Sequence, residues 1–299
     1  MRLVKGVSHS KPQTALQKFP GVFECIEFAV YCTQHDEWNN NVFQKTFEEG
    51  KSMRILLIRH GDPDYVRDSL TPRGIREARA LGKHFSEYHA TKAFVSPLGR
   101  AQLTARLALA GTGLIPEEKP WLEEFPIRIS RPDCPALSSV AWDWLPEDLA
   151  KHPEMLVAGA WKESAVIPRE VPEKYDEVTL AFDGLLAENG YVRDRMFYRA
   201  ERSNHEVLAF FCHFGISCVF LAHLLGTSPY VFWQGTVSAP TSVISLHTEE
   251  RRPGIAAFRM NEFGSTLHLE LENIEVSRRA RFVECHGDDE TGFEKSYRI

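Results

Sequence analysis

Arg59, His60 and Gly61 stand together at the end of the apolar run Ile55-Leu56-Leu57-Ile58. The planar fork of an arginine can hold two oxygens of a phosphate at once. A neutral histidine ring carries a lone pair near pH 7 and can act as a nucleophile. Glycine lets the backbone turn sharply and lets a ligand come close. Two more groups fit the same chemistry. Arg100 falls about one turn inside a helix that Ser96-Pro97 is expected to open, and His213 follows the apolar stretch Glu206 to Cys212. Glu124, or its neighbour Glu123, could give a proton to a leaving group. Phosphoryl transfer needs such a set: fixed positive charge, hydrogen-bond donors and an in-line nucleophile. Taken singly, each residue has an ordinary reading, since most lone arginines are solvated and most lone histidines are structural.

What joins them is the pattern of elements. Ile55 to Ile58 reads as a strand buried on both faces. Thr71 and Pro72 look like a helix cap and first position, and Ile75, Ala78, Leu81 and Phe85 give that helix one apolar face. Ala93 to Val95 is a second strand, followed by a helix from Leu98 to about Ala110 with Ser96-Pro97 at its start. The stretch Trp121 to Pro172 has little periodicity. A helix is expected from Glu173 to Leu186, and a hairpin from Tyr191-Val192 and Met196 to Tyr198. Glu206 to Cys212 is a third buried strand, and Gly215 to Leu225 is an apolar helix that Gly226 ends. Ser242 to His247, Ile255 to Met260 and Thr266 to Leu271 are read as late strands. Alternating strands and helices imply a layered α/β domain with a largely parallel sheet. Ligands in such sheets sit beyond the carboxyl ends of the strands. Arg59-His60, Ser96 to Arg100 and His213 all fall there.

The chain has 299 residues, 43% hydrophobic and 25% charged, an ordinary globular balance. Its formal net charge of -6 argues against nucleic acid or an anionic membrane as the main partner. No apolar run is long enough for a transmembrane helix. Cys25, Cys32, Cys134, Cys212, Cys218 and Cys285 are scattered without a C-x-x-C pair, which suits free thiols in a reducing cytoplasm. Residues 1–52 read as an N-terminal extension outside the catalytic core, or as sequence ahead of a natural start at Met53. Residues 53–274 form the expected domain, with an insertion at about 126–205, and residues 275–299 read as a polar, peripheral tail. Within the insertion, Arg128, Arg131 and the tryptophans Trp121, Trp142, Trp144 and Trp161 could line a lid or simply pack it. His223 reads as structural. His268 could touch the site or pair with a backbone carbonyl. His84, His89, His152 and His286 read as surface residues.

Four segments in this order resemble the histidine phosphatase superfamily, also called the phosphoglycerate-mutase-like family. Met53 to Gly61 is similar to its opening strand and nucleophile motif. Leu70-Thr71-Pro72-Arg73-Gly74, with Glu77-Ala78, resembles its L-T-x-x-G helix start. Ser96-Pro97-Leu98-Gly99-Arg100-Ala101-Gln102-Leu103-Thr104-Ala105 resembles its S-P-L-x-R-A-x-x-T-A segment. Cys212-His213-Phe214-Gly215 resembles its second histidine motif. The resemblance implies a three-layer α/β sandwich with a mostly parallel central sheet and an insertion over the site. It also implies a phosphohistidine on His60 that water releases. Arg59, Arg100 and His213 would hold the phosphoryl oxygens beside Gly61, and Glu124 in Leu122-Glu123-Glu124 would be the proton donor, with Glu123 the fallback. No metal or other cofactor is implied, and the expected partner is a small phosphorylated metabolite. The chain departs from the mutases of the family, which carry Ser and Asn soon after Arg-His-Gly. Here Pro63 and Val66 stand at those places and Asp62 and Asp64 add carboxylates. Hydrolysis is therefore expected ahead of mutase transfer, or of a phosphate-binding module with little turnover. Phe214, where the family commonly has glycine, would narrow the site.

Overall fold

A computed structural model describes residues 52–278 apart from 134 and 137. The expectations for the N-terminal extension, for Cys25, Cys32, Cys134, Cys285 and His286, and for the end of the tail lie outside the described residues.

An eight-stranded sheet forms the central layer. In chain order its strands are β1 (Arg54–Arg59), β4 (Lys92–Val95), β5 (Glu117–Glu118), β8 (Tyr191–Asp194), β9 (Phe197–Ala200), β10 (Val207–Cys212), β11 (Val243–Arg252) and β12 (Ile255–Ser265). Two small ribbons stand apart from it: β2 (Pro63–Asp64) with β3 (Ser69–Leu70), and β6 (Arg128–Ser130) with β7 (Ser138–Val140). The spatial order of the large sheet is β5-β4-β10-β1-β11-β12-β9-β8. From β5 to β1 all pairings are parallel, and from β1 to β8 all are antiparallel.

Side chains alternate across β1, and this builds the layers. Ile55 and Leu57 face a cluster with Phe94, Leu208 and Phe210. That cluster takes in Phe182 of α3 (Glu170–Glu188) and Phe220 of α4 (Phe214–Leu225), whose rings stack at 4.4 Å. On the other face, Phe211 meets Phe85 at 5.7 Å, beneath α1 (Pro72–His84) and α2 (Gly99–Ala108). Helix α4 is buried on nearly every side, as a helix that is apolar all round must be. Its C-cap is Gly226, at φ 68. Beyond it, α5 (Pro229–Gly235) precedes β11, and α6 (Leu267–Leu271) follows β12.

The structure moves several sequence-based boundaries. Thr71 caps α1 as expected, its side chain accepting from Gly74 N. Ser96-Pro97 does not open α2, which starts at Gly99 with Leu98 as its cap residue. The Ser96 hydroxyl is engaged elsewhere, and the Asp68 carboxylate receives the Gly99 amide instead, at 2.6 Å. Helix α3 begins at Glu170, because Pro172 in a first turn sacrifices no helical hydrogen bond. Thr266 to Leu271 is not a strand: β12 already runs to Ser265, and a short helix follows that buries His268 and Leu269. Of the expected insertion, α3, β8 and β9 join the main layers, and the irregular part is about 126–169. The beginning of the tail is not peripheral. Ser277 Oγ donates to Asp62 Oδ1 at 2.8 Å, and Arg73 Nη2 donates to the Glu275 carbonyl.

Candidate active site

Parallel register brings the strand ends together, with Arg59 beside Cys212 and Val95 beside Phe211. His60, Ser96 and His213 each follow one of these strands, so their side chains share one edge of the sheet. The backbone of His60 is clamped on two sides. Its N–H donates to the Cys212 carbonyl at 3.0 Å, and its carbonyl accepts from Thr241 N at 3.2 Å.

The ring of His60 is buried, and its Nδ1 lies 2.7 Å from the Gly61 carbonyl. A carbonyl can only accept, so Nδ1 carries the proton and Nε2 keeps the lone pair. Burial, with Arg59 and Arg100 close by, holds the His60 pKa well below its usual value. The ring is therefore neutral at pH 7. Gly61 is required by packing: a Cβ there would come within 2.8 Å of the Gly74 carbonyl oxygen. Its N–H donates to Thr104 Oγ1 at 3.0 Å, and Thr104 in turn donates to the Arg100 carbonyl at 2.7 Å.

His213 lies with its ring centroid 5.0 Å from that of His60. Ser96 Oγ is 2.8 Å from His213 Nε2 and accepts from Leu98 N at 3.3 Å. When the hydroxyl donates its proton to Nε2, the ring proton of His213 sits on Nδ1. Burial first, then His60, Arg100 and Arg59, keep this ring neutral as well. Arg59 donates from Nη1 to the Ser238 carbonyl, and its guanidinium lies 5.8 Å from the centre of the Phe214 ring. Phe214 is thus buried against an arginine of the site. Arg100 pairs with Asp68 Oδ1 at 2.6 Å and lies 5.4 Å from the centre of the Tyr65 ring. Arg59 Nε, Arg100 Nε and His213 Nδ1 are buried with no hydrogen-bond partner.

Glu124 reaches the same place from the far end of the chain segment that follows β5. Its Oε1 accepts from Phe125 N at 2.9 Å and from Ile216 N, in the first turn of α4, at 3.1 Å. Burial is the largest influence on the carboxyl and raises its pKa. The amides of Phe125 and Gly215, and the charges of Arg59 and Arg100, pull the other way. Glu123 points elsewhere, 3.6 Å from Lys174 Nζ on α3.

Arg59, His60, Gly61, Arg100, Glu124 and His213 are therefore gathered at one edge of the sheet, and Glu123 is not. The expected carboxylates of the first loop are also turned away. Asp62 Oδ2 accepts from Thr71 Oγ1 at 2.8 Å and its Oδ1 from Ser277, while Asp64 pairs with Arg67 at 2.9 Å. Asp68, which the sequence reading passed over, is the carboxylate that meets the site. Ser96 is placed at a strand end by the sequence but read there as a helix cap, and Thr104 and the Ser238 carbonyl are given no role. Ser96 and Thr104 lay inside a quoted motif, but nothing in the sequence pointed to Ser238. Arg131 is neutralised by Asp133 at 2.6 Å and Asp143 at 3.3 Å, and Arg128 bonds the Ser138 carbonyl across β6–β7 at 2.6 Å. Both are framework of the insertion. His223 pairs with Asp183 at 2.8 Å, and His268 Nε2 lies 3.0 Å from Thr241 Oγ1, behind His60. His84 is half-buried and pairs with Glu272 at 3.1 Å. Among the described residues no cluster of His, Cys, Asp or Glu is arranged to hold a metal, and no helix is long and apolar enough to cross a membrane.

No curated protein matches the chain. Among solved structures, a protein described as mycobacterial hydrolase 1 is similar at 18% identity and TM-score 0.48, over 72% of this chain and 99% of its own. Phosphoserine phosphatase from Entamoeba histolytica, in complex with 3-phosphoglyceric acid, is similar at 15% identity and TM-score 0.45, over 73% of this chain and 99% of its own. A mycobacterial glucosyl-3-phosphoglycerate phosphatase complexed with VO3 is similar at 17% identity and TM-score 0.46, over 71% and 98%. The family model of the histidine phosphatase superfamily (branch 1) matches residues 55–128. The matched stretch is the one that carries Arg59, His60, Gly61, Arg100 and Glu124.

Proposed function

We propose that the protein is a phosphomonoesterase acting on a small phosphorylated metabolite through a phosphohistidine on His60. One observation carries the reading. Three buried nitrogens without partners, Nε of Arg59, Nε of Arg100 and Nδ1 of His213, accompany a histidine whose Nδ1 is tied to a carbonyl and whose Nε2 holds a lone pair. Buried donors without partners are costly, and an anion bound among them removes that cost. In the reaction, Nε2 of His60 attacks phosphorus as the ester P–O bond breaks. Arg59, Arg100 and the Nδ1–H of His213 take up the charge on the equatorial oxygens. Glu124 protonates the leaving oxygen. Water then attacks the phosphohistidine, giving its proton to the Glu124 carboxylate, and phosphate leaves.

The loop after Gly61 supports hydrolysis over mutase transfer. Pro63 has no N–H to offer, Val66 is 97% exposed, and Asp62 and Asp64 are engaged away from the site. The cationic groups of the site come from the chain itself, so the chemistry described calls for no metal.

His60→Ala tests the reading. Turnover of an aryl phosphate should fall to background, and acid-labile labelling of the protein by phosphate should vanish. Turnover near the wild-type rate would show that His60 is not the nucleophile.

A further inference from the structure

The irregular insertion reaches the site through Trp142. A Cβ on Gly215 would come within 2.4 Å of Cζ3 and Cη2 of this indole and within 2.7 Å of Glu124 Oε1. The ring edge and the carboxylate therefore flank the same bare Cα at the start of α4. The indole is fixed from several sides. It packs on Phe214 at 6.1 Å and on Trp233 at 5.6 Å between centroids, and Gln234 Nε2 donates to the backbone carbonyl of Trp142. Trp233 Nε1 donates to the Gly215 carbonyl at 2.9 Å, which ties α5 to the same turn. Next to Trp142 in the chain, Asp143 is held by Arg131 and Ser139.

We propose that Trp142 is a positioning residue for Glu124: the insertion holds its indole over Gly215, beside the carboxyl, so that the group is shielded from water and can hand its proton to the leaving oxygen. This rests on the reading of Glu124 as proton donor. The charges around Glu124 explain why apolar cover is needed. From β1 it faces Arg59 and from α2 Arg100, and both favour the carboxylate, as do the amides of Phe125 and Gly215. Cys212 at the end of β10 and Cys218 on α4 also face it. Burial raises both thiols, so they carry no charge. His60 and His213 are neutral. Every charge and dipole so placed would hold Glu124 ionised, yet its pKa is raised, and burial is the cause. A carboxyl with an apolar ring beside it loses water, which disfavours its charged form. Only glycine at 215 lets the indole come this close. With Oε1 accepting two amides, the proton resides on Oε2. It passes to the leaving oxygen as the ester P–O bond breaks and the His60 Nε2–P bond forms.

The test compares kcat against pH for wild type, Trp142→Ala, Trp142→Phe, Gly215→Ala and Glu124→Gln. Two substrates are used: an alkyl phosphate, whose leaving group needs the proton, and nitrophenyl phosphate, whose leaving group does not. The alkyl-phosphate profile should fall at alkaline pH as Glu124 ionises. In Trp142→Ala that limb should move to lower pH by about one unit, with a smaller move in Trp142→Phe. Turnover of nitrophenyl phosphate should change much less. Gly215→Ala keeps the tryptophan but displaces its ring, and should move the limb in the same direction, which covers the case of a Trp142→Ala protein that does not fold. A limb that stays in place in folded Trp142 or Gly215 variants, while Glu124→Gln abolishes it, would overturn the role of Trp142 and leave Glu124 as donor. An equal loss with both substrates would reduce Trp142 to ordinary packing. Should Glu124→Gln keep the alkyl-phosphate rate and its limb, the donor assignment itself fails.

Discussion

In the parallel half of the sheet, β1, β10 and β4 are short and largely buried on both faces, and they end in register. In the antiparallel half, β11 and β12 are longer and run toward an exposed turn, and the first part of β12 alternates between buried and exposed residues. Only the first half ends in His60, Ser96 and His213. Parallel strands place their carboxyl ends, and the helix N-termini that follow, on the same edge. Antiparallel neighbours send alternate ends to opposite edges. The antiparallel half still supports the site, though by backbone. The turn ahead of β11 supplies the Ser238 carbonyl to Arg59 and the Thr241 amide to His60. The candidate site is thus concentrated at one edge, and the rest of the sheet holds it through packing and main-chain hydrogen bonds.

Substitutions in the two halves should separate these roles. At the parallel edge, Arg100→Ala is expected to lower kcat/KM for an aryl phosphate by ~10²–10³-fold, the usual scale for removing one donor to developing charge. Steady-state kinetics would show it, and a loss under about tenfold would place the phosphoryl group elsewhere. In the antiparallel half, Phe258 is buried against Tyr198 with ring centroids 5.1 Å apart. Phe258→Ala should cost about 3–5 kcal/mol of stability by denaturant unfolding. The kcat of the folded fraction should stay unchanged, and a fall in kcat without that loss would break the division of labour. The smallest expected effect is that of a chelator, which should leave turnover unaltered because arginine and histidine supply the charge. A requirement for added divalent metal would count against that account.

The loop after Gly61 shows where sequence reasoning stopped short. Asp62 and Asp64 were visible as carboxylates close to His60 in the chain, but proximity in sequence does not settle direction. Asp62 turns to Thr71 and Ser277, Asp64 to Arg67, and Asp68 swings to Arg100 and the Gly99 amide through a left-handed backbone at φ 45. The late helix at Leu267–Leu271 was misread for a related reason. Five residues are too few for helical periodicity to separate from a strand pattern, and packing of Leu269 and His268 decided the matter.

By itself the sequence determined the layered α/β order and the buried strands, and it singled out Arg59, His60, Gly61, Arg100 and His213 while leaving Glu124 and Glu123 both open. Apolar runs, helix caps and chemically scarce side chains are local properties, readable one segment at a time. Only the tertiary structure decided which carboxylate faces the site, that the ring proton of His60 sits on Nδ1, and that Trp142 and Glu124 both flank Gly215. Those depend on hydrogen bonds and ring contacts between residues such as Ser96 and His213, or Trp142 and Gly215, that lie far apart in the chain. No local pattern records such meetings, because they are set by how the layers close on one another.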